Sequence, residues 1–273
     1  MEEFFSNAEK LVNHEIQEKL KLQLSGLGIR AGDVLLVHSS LHSVGTLPNK
    51  ALEVTMALMA VLGPEGTLLM PGFQSGSEYA LASQGVCFDL RSSPSALGYL
   101  TEYFRKLPGV RRSISPTHSI SGYGAAAKTI LSGHEHCLVT AGWGSPFEKL
   151  IDANGRILLL GVGHHCNTTM HFLENTGGAP TVSANRFMTK VIDMQGNEHT
   201  PQICPHMPGL ARNYEKMRGL LETAGALETG MVGEAFSQCF SAQVLRDIAY
   251  LELKKNPCAF IEVFNPTARK AIS

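Results

Sequence analysis

Within Arg156-Ile157-Leu158-Leu159-Leu160-Gly161-Val162, residues Ile157 to Leu160 are an apolar run with no polar residue alternating through it. Such a run reads as a strand buried on both faces at the centre of a sheet. Asp33-Val34-Leu35-Leu36-Val37 repeats the pattern after Gly32, and Thr67-Leu68-Leu69-Met70 repeats it before Pro71-Gly72. Residues 48–62 between them are amphipathic and read as a helix stopped at Gly63-Pro64. Helical spacing also marks residues 95–107, 125–131 and 145–152, the last with Pro146 at a favourable helix start. At least two more helices are expected within 209–253, with a loop near 225–228. Upstream, Leu11, Ile16, Leu20 and Leu24 suggest a helix from Ser6, capped by Ser6 with Glu9 and stopped at Gly26 and Gly28. Residues 74–93 read as a long loop, 111–124 as an irregular turn region, and 186–197 as a hairpin turning at Met194-Gln195-Gly196-Asn197. Strands alternating with helices predict one α/β domain over residues 1–273 with a mixed sheet.

Composition narrows the function classes. The chain has 273 residues, 44% hydrophobic and 17% charged, enough for a sizeable core. A net charge of −1 lacks the basic excess of a nucleic-acid binder. No apolar run reaches the length of a membrane span. Met1-Glu2-Glu3-Phe4-Phe5 has no basic signal-peptide start. Cysteines 87, 137, 166, 204, 239 and 258 form no C-x-x-C pair and are expected as free thiols in a reducing cytoplasm.

Three segments carry candidate chemistry. His38-Ser39-Ser40-Leu41-His42-Ser43-Val44-Gly45 follows a buried strand, where ligands of open α/β sheets gather; it also fits a plain polar turn. Arg111-Arg112-Ser113-Ile114-Ser115-Pro116-Thr117-His118-Ser119 suits a phosphate group, or a solvated basic turn. Gly163-His164-His165-Cys166-Asn167-Thr168-Thr169-Met170-His171-Phe172-Leu173-Glu174 follows another strand. If residues 168–175 are helical, His171 and Glu174 share a face, and a carboxylate beside an imidazole makes a general base. A zinc site from His164, His165, Cys166 and His171 competes, as does a helix start without chemistry. His134-Glu135-His136 reads as a solvated loop. Gly142-Trp143-Gly144-Ser145-Pro146 does not match a nucleophile elbow.

In this order the segments resemble the aminoglycoside N(3)-acetyltransferase family of antibiotic acetyltransferases. The resemblance runs through Val37-His38-Ser39-Ser40-Leu41 with Ser43 and Gly45, Gly66 to Pro71, and Ser95-Ala96-Leu97-Gly98. It continues through Arg112-Ser113, His118-Ser119, Gly155 to Val162, and Asn167-Thr168-Thr169-Met170-His171-Phe172-Leu173-Glu174. It implies a three-layer α/β/α domain with a mixed central sheet, unrelated to the GNAT acetyltransferases. It implies direct transfer from acetyl-CoA to a primary amine, with no metal. His171 would be the general base and Glu174 its orienting carboxylate. His38, Ser39, Ser40, Leu41, Ser43 and Gly45 would hold the pantetheine arm, and the Ser39-Ser40 turn would stabilise the oxyanion. Arg112, Ser113 and Ser119 would meet the coenzyme's phosphates. The acceptor implied is the 3-amino group of an aminoglycoside, met by Glu78, Asp89, Asn167 and Thr168. Its presumed region carries few acids, which leaves a different amine as the alternative. A non-catalytic coenzyme-binding protein and a zinc hydrolase stand further off. The expected partners are a small-molecule amine, neither nucleic acid nor membrane, in a monomer or homodimer.

Overall fold

The computed structural model describes Ala8 and residues 10–264. Seven strands form its central sheet: β1 (Val34–Ser39), β2 (Thr67–Pro71), β3 (Arg111–Arg112), β4 (Ile120–Gly124), β5 (Arg156–Leu160), β6 (Glu228–Val232) and β7 (Ala235–Ser241). Their order is β6-β7-β5-β1-β2-β4-β3. The apolar runs β5, β1 and β2 are the parallel centre, and antiparallel strands flank them on both sides.

Register sorts the side chains. Leu36 pairs with both Ile157 and Leu69, so these three form one row on one face. That row joins the core made by α5 (Ala127–Leu131), α6 (Pro146–Asp152), α7 (Thr169–Thr176), α8 (Lys216–Thr223) and α9 (Ala242–Lys255). Leu35, Val37, Leu158 and Leu160 point the other way and pack with α1 (His14–Gly26), α2 (Lys50–Leu62) and α4 (Tyr99–Phe104). The result is a three-layer α/β/α sandwich around a mixed sheet, as expected. Among the described residues no helix is long and apolar enough to cross a membrane.

The structure departs from the sequence reading in several places. Ser6 and Glu9, the expected cap, lie outside the described residues; α1 starts at His14, where the Asn13 side chain accepts from Ile16 N. The expected loop 74–93 contains α3 (Glu78–Ser83), capped by Ser77, and a short strand Cys87–Asp89. That strand pairs with Lys190–Ile192 of the 186–197 hairpin, which forms as expected. The expected turn region 111–124 supplies β3 and β4. The β6–β7 hairpin occupies a stretch with no predicted strand. Helix 95–107 shrinks to α4.

Candidate active site

A cavity of about 580 Å³ opens where the carboxyl ends of β1 and β2 meet the loop after β5. Its wall includes His38, Ser39, Pro71, Thr168 and His171. Parallel strands leave their ends unbridged by sheet contacts there, so the position follows from the topology.

His171 sits in the first turn of α7. Its Nδ1 is 3.0 Å from the Tyr214 hydroxyl. That hydroxyl lies 2.6 Å from Glu174 Oε2 and donates to it, and Arg212 Nε donates to the same oxygen at 2.8 Å. Tyr214 has one hydroxyl proton, and it is donated in the hydrogen bond to the carboxylate. The phenol oxygen therefore accepts from His171 Nδ1–H. Among the described residues His171 Nε2 has no protein partner, so the neutral ring presents its lone pair to the cavity. Burial, and then the neighbouring His206 and Arg212, hold His171 well below the usual imidazole range. Burial and the Glu174 carboxylate push the Tyr214 hydroxyl well above the phenol range, which keeps its proton in place. One expectation is corrected here. Glu174 is fully buried and is linked to the imidazole through the Tyr214 hydroxyl rather than by a direct hydrogen bond.

A second carboxylate organises the opposite wall. Glu78 Oε1 accepts from the Thr117 hydroxyl at 2.8 Å and from the Thr140 hydroxyl. The same oxygen lies 3.2 Å from His118 Nδ1. Oε2 accepts from the His206 backbone N–H at 2.8 Å and lies 2.6 Å from His206 Nδ1. Burial opposes the charge on Glu78, but His118 and His206 outweigh it and hold the carboxyl well below its usual range. Asn175 then fixes the proton on His206. Its Nδ2 donates to the Ala141 carbonyl and faces His206 Nε2 at 2.9 Å, while its Oδ1 accepts from Thr181. His206 Nε2 is thus an acceptor, and Nδ1–H points at Glu78. Glu78, His118 and His206 are the one metal-capable cluster among the described residues. In this structure their facing atoms are hydrogen-bonded to one another and to the Thr117 and Thr140 hydroxyls. The zinc grouping considered from the sequence is not assembled. His164 is buried against the Phe240 ring at 5.1 Å, His165 pairs with Glu215 at 2.9 Å on the surface, and His171 turns to Tyr214.

The remaining nominated residues divide. His38 and Ser39 line the cavity; burial lowers the His38 imidazole to about 3, and among the described residues its buried Nε2 has no partner. Ser40 N–H is spent on the Leu160 carbonyl, so it is not an oxyanion donor, and the Ser43 hydroxyl bonds Ser40 Oγ and the Gly161 carbonyl. Leu41 opens a short helical turn that ends at Gly45, whose φ of 86° suits glycine. Arg112 is not a phosphate contact. It is buried, and its guanidinium holds the carbonyls of Leu90, Ser93 and Gly72. Ser113 Oγ bonds Ile120 N and His134, and Ser119 Oγ donates to the Ser113 carbonyl. His134 is buried rather than solvated, bridging Ser113 Oγ and the Thr140 carbonyl. Of the acceptor residues, Glu78 and Thr168 line the cavity. Asn167 is buried beneath it, accepting from Thr169 N, and Asp89 is away from it, paired with Arg91 at 2.8 Å. Sequence reasoning misses Tyr214, His206, Thr140 and Arg212. Only the Pro205-His206-Met207-Pro208-Gly209 turn carries a local signal, a histidine framed by chain-bending residues.

Comparison with known proteins adds three findings. A family model described as aminoglycoside 3-N-acetyltransferase matches residues 36–253. Aminoglycoside N(3)-acetyltransferase IV from Salmonella sp is 32% identical over 248 residues, covering 88% of this chain and 87% of that protein. Among solved structures, aminoglycoside acetyltransferase AAC(3)-IVa, as a histidine-to-alanine mutant in complex with a gentamicin, superposes with a TM-score of 0.77 at 28% identity, covering 93% of each chain.

Proposed function

This chain belongs to the aminoglycoside 3-N-acetyltransferase family, and from that premise we propose that it transfers the acetyl group of acetyl-CoA to a primary amine of a small molecule, with His171 as base. The observation that carries the assignment is the bonding order Glu174–Tyr214–His171, which leaves Nε2 as a lone pair at the cavity. A solved relative holds free coenzyme A, and another holds a gentamicin. The coenzyme would supply the thioester. His38 and Ser39 line the cavity where its arm would lie.

His171 Nε2 takes a proton from the amine as the new C–N bond forms at the thioester carbonyl. The C–S bond breaks, and the proton goes on to the sulfur. The imidazolium present in between is stabilised through Tyr214 by Glu174, at no cost in reorientation. The relatives' names make the 3-amino group of an aminoglycoside the first acceptor. The engagement of Glu78 favours a second reading, an amine of lower charge, because among the described residues no lining carboxylate is left free for a polycation. A thiol-release screen with acetyl-CoA against aminoglycosides and singly charged amines tests both. Full activity in His171→Ala would refute the mechanism.

A further inference from the structure

An ammonium ion that becomes an amide loses two protons from nitrogen. One ends on the coenzyme's sulfur and one in solvent. A single base that handles the second proton leaves the first unassigned, and most alkyl amines at neutral pH still carry it.

The cavity holds a second imidazole built like the first. His118 Nδ1 lies 2.8 Å from Thr140 Oγ1, whose own proton goes to Glu78. Nδ1–H therefore points inward, toward Thr140 and Glu78. Among the described residues His118 Nε2 has no partner, and the ring lines the same cavity as His171. The two ring centroids are 6.0 Å apart, edge to face. The groups that face His118 are Glu78 from α3, Phe73 from the loop after β2, His171 from α7 and His206 from the loop before Leu210–Arg212. Of these, His206 has both nitrogens occupied, by Glu78 and Asn175. Two free Nε2 atoms thus face one space, each backed at Nδ1 by a hydroxyl that itself donates to a carboxylate.

We propose that His118 is a second catalytic base: its Nε2 removes the first proton from the bound ammonium ion and passes it to solvent through the cavity mouth. His171 then removes the second proton as the C–N bond forms, and that proton ends on the departing sulfur. The balance is one ammonium and one thioester in, one amide, one thiol and one proton out. The inference rests on the acetyl-transfer reading.

The test compares two acceptors of the same shape at one pH. One is an alkyl amine that is almost wholly an ammonium ion. The other carries fluorine beside the nitrogen, so that it is almost wholly neutral. His118→Gln is expected to lose about 100-fold in kcat/KM on the first and less than about threefold on the second. His171→Gln is expected to lose alike on both. Equal losses on the two acceptors in His118→Gln, or no loss on either, would overturn the proposal while leaving acetyl transfer intact. Wild-type protein that releases no thiol with any amine would overturn the transfer reading and this inference with it. If His118→Gln does not melt cooperatively, His118→Asn, which keeps a polar group near the Nδ1 position, is read by the same ratio.

Discussion

The Tyr214 hydroxyl stands between His171 and Glu174, 3.0 Å from the imidazole Nδ1 and 2.6 Å from the carboxylate. The carboxylate therefore reaches the base through a phenol whose proton is locked. Tyr214→Phe removes one oxygen and keeps the ring against Phe260. It is expected to lower kcat by about 10- to 100-fold with little change in the KM for acetyl-CoA. It also leaves Glu174 and His171 each one partner short inside the protein, so unfolding free energy should fall by about 1–3 kcal/mol. Thiol-release kinetics and urea melts measure the two effects separately. An unchanged kcat would mean that Tyr214 is packing alone.

Arg112 makes a different prediction from the one its sequence context suggests. Its guanidinium lies 4.7 Å over the Phe88 ring and bonds three carbonyls of the segment between β2 and α4. Burial lowers it to about 10, so it remains charged at neutral pH. Arg112→Met should destabilise the fold by about 3 kcal/mol or more, since several buried carbonyls lose a charged donor at once. Acetyl-CoA binding by calorimetry at low temperature should stay within about twofold of wild type. Intact stability with a tenfold weaker coenzyme affinity would restore the phosphate contact instead.

These outcomes show what the sequence exposes and what it hides. The parallel centre was legible because Leu35, Leu36, Ile157 and Leu158 are buried on both faces and leave no ambiguity of period. β4 was not, because Ile120-Ser121-Gly122-Tyr123-Gly124 looks like a turn. Gly122 is there because a Cβ would come within 2.8 Å of Leu69 and 3.1 Å of Leu131, a packing demand invisible in one dimension. The β6–β7 hairpin hides behind buried polar residues, Ser237 and Gln238, which blur the apolar pattern. His171 and Glu174 could be nominated because they sit on one helical turn. Tyr214 and His206 come from distant loops, and only the folded chain brings them to the imidazole.

Gly161 ties the end of β5 to the turn after β1. Its φ is +66°, and a Cβ there would come within 2.6 Å of Ser43 Cβ and 3.1 Å of Ala235 Cβ. Both contacts are to short side chains fixed to the backbone, so neither can swing aside. Gly161→Ala should cost about 3 kcal/mol, combining left-handed strain with overpacking. Gly178 is the control: its φ is +89° with nothing within 4 Å of a Cβ. Gly178→Ala should cost only the backbone strain, about 1–2 kcal/mol. Equal costs in paired melts would show that the Ser43 contact carries no energy.

Acid should unfold this protein through its buried histidines. Burial lowers His38 and His134 to about 3 and His164 to about 4. In the unfolded chain each takes a proton near pH ~6.5. Below that value the unfolded state binds more protons than the folded one, so stability rises with pH and is lost as pH falls. The window opens at about 6.5 and continues downward until the folded rings themselves titrate. Glu78 acts with the same sign but lower, because its carboxyl is held below the usual carboxylate range. Between pH 7 and pH 5 each histidine should remove about 2 kcal/mol, and three of them approach the whole stability of a typical domain. His164 isolates the effect best. Among the described residues neither of its ring nitrogens has a partner, and it stacks on Phe240 at 19°. His164→Phe should keep the stacking, remove one titrating group and remove two unmet buried polar atoms. Its stability loss from pH 7 to pH 5 should be smaller than that of wild type by about 2 kcal/mol in urea melts. A loss as steep as wild type would show that His164 takes up its proton in the folded protein as readily as in the unfolded chain.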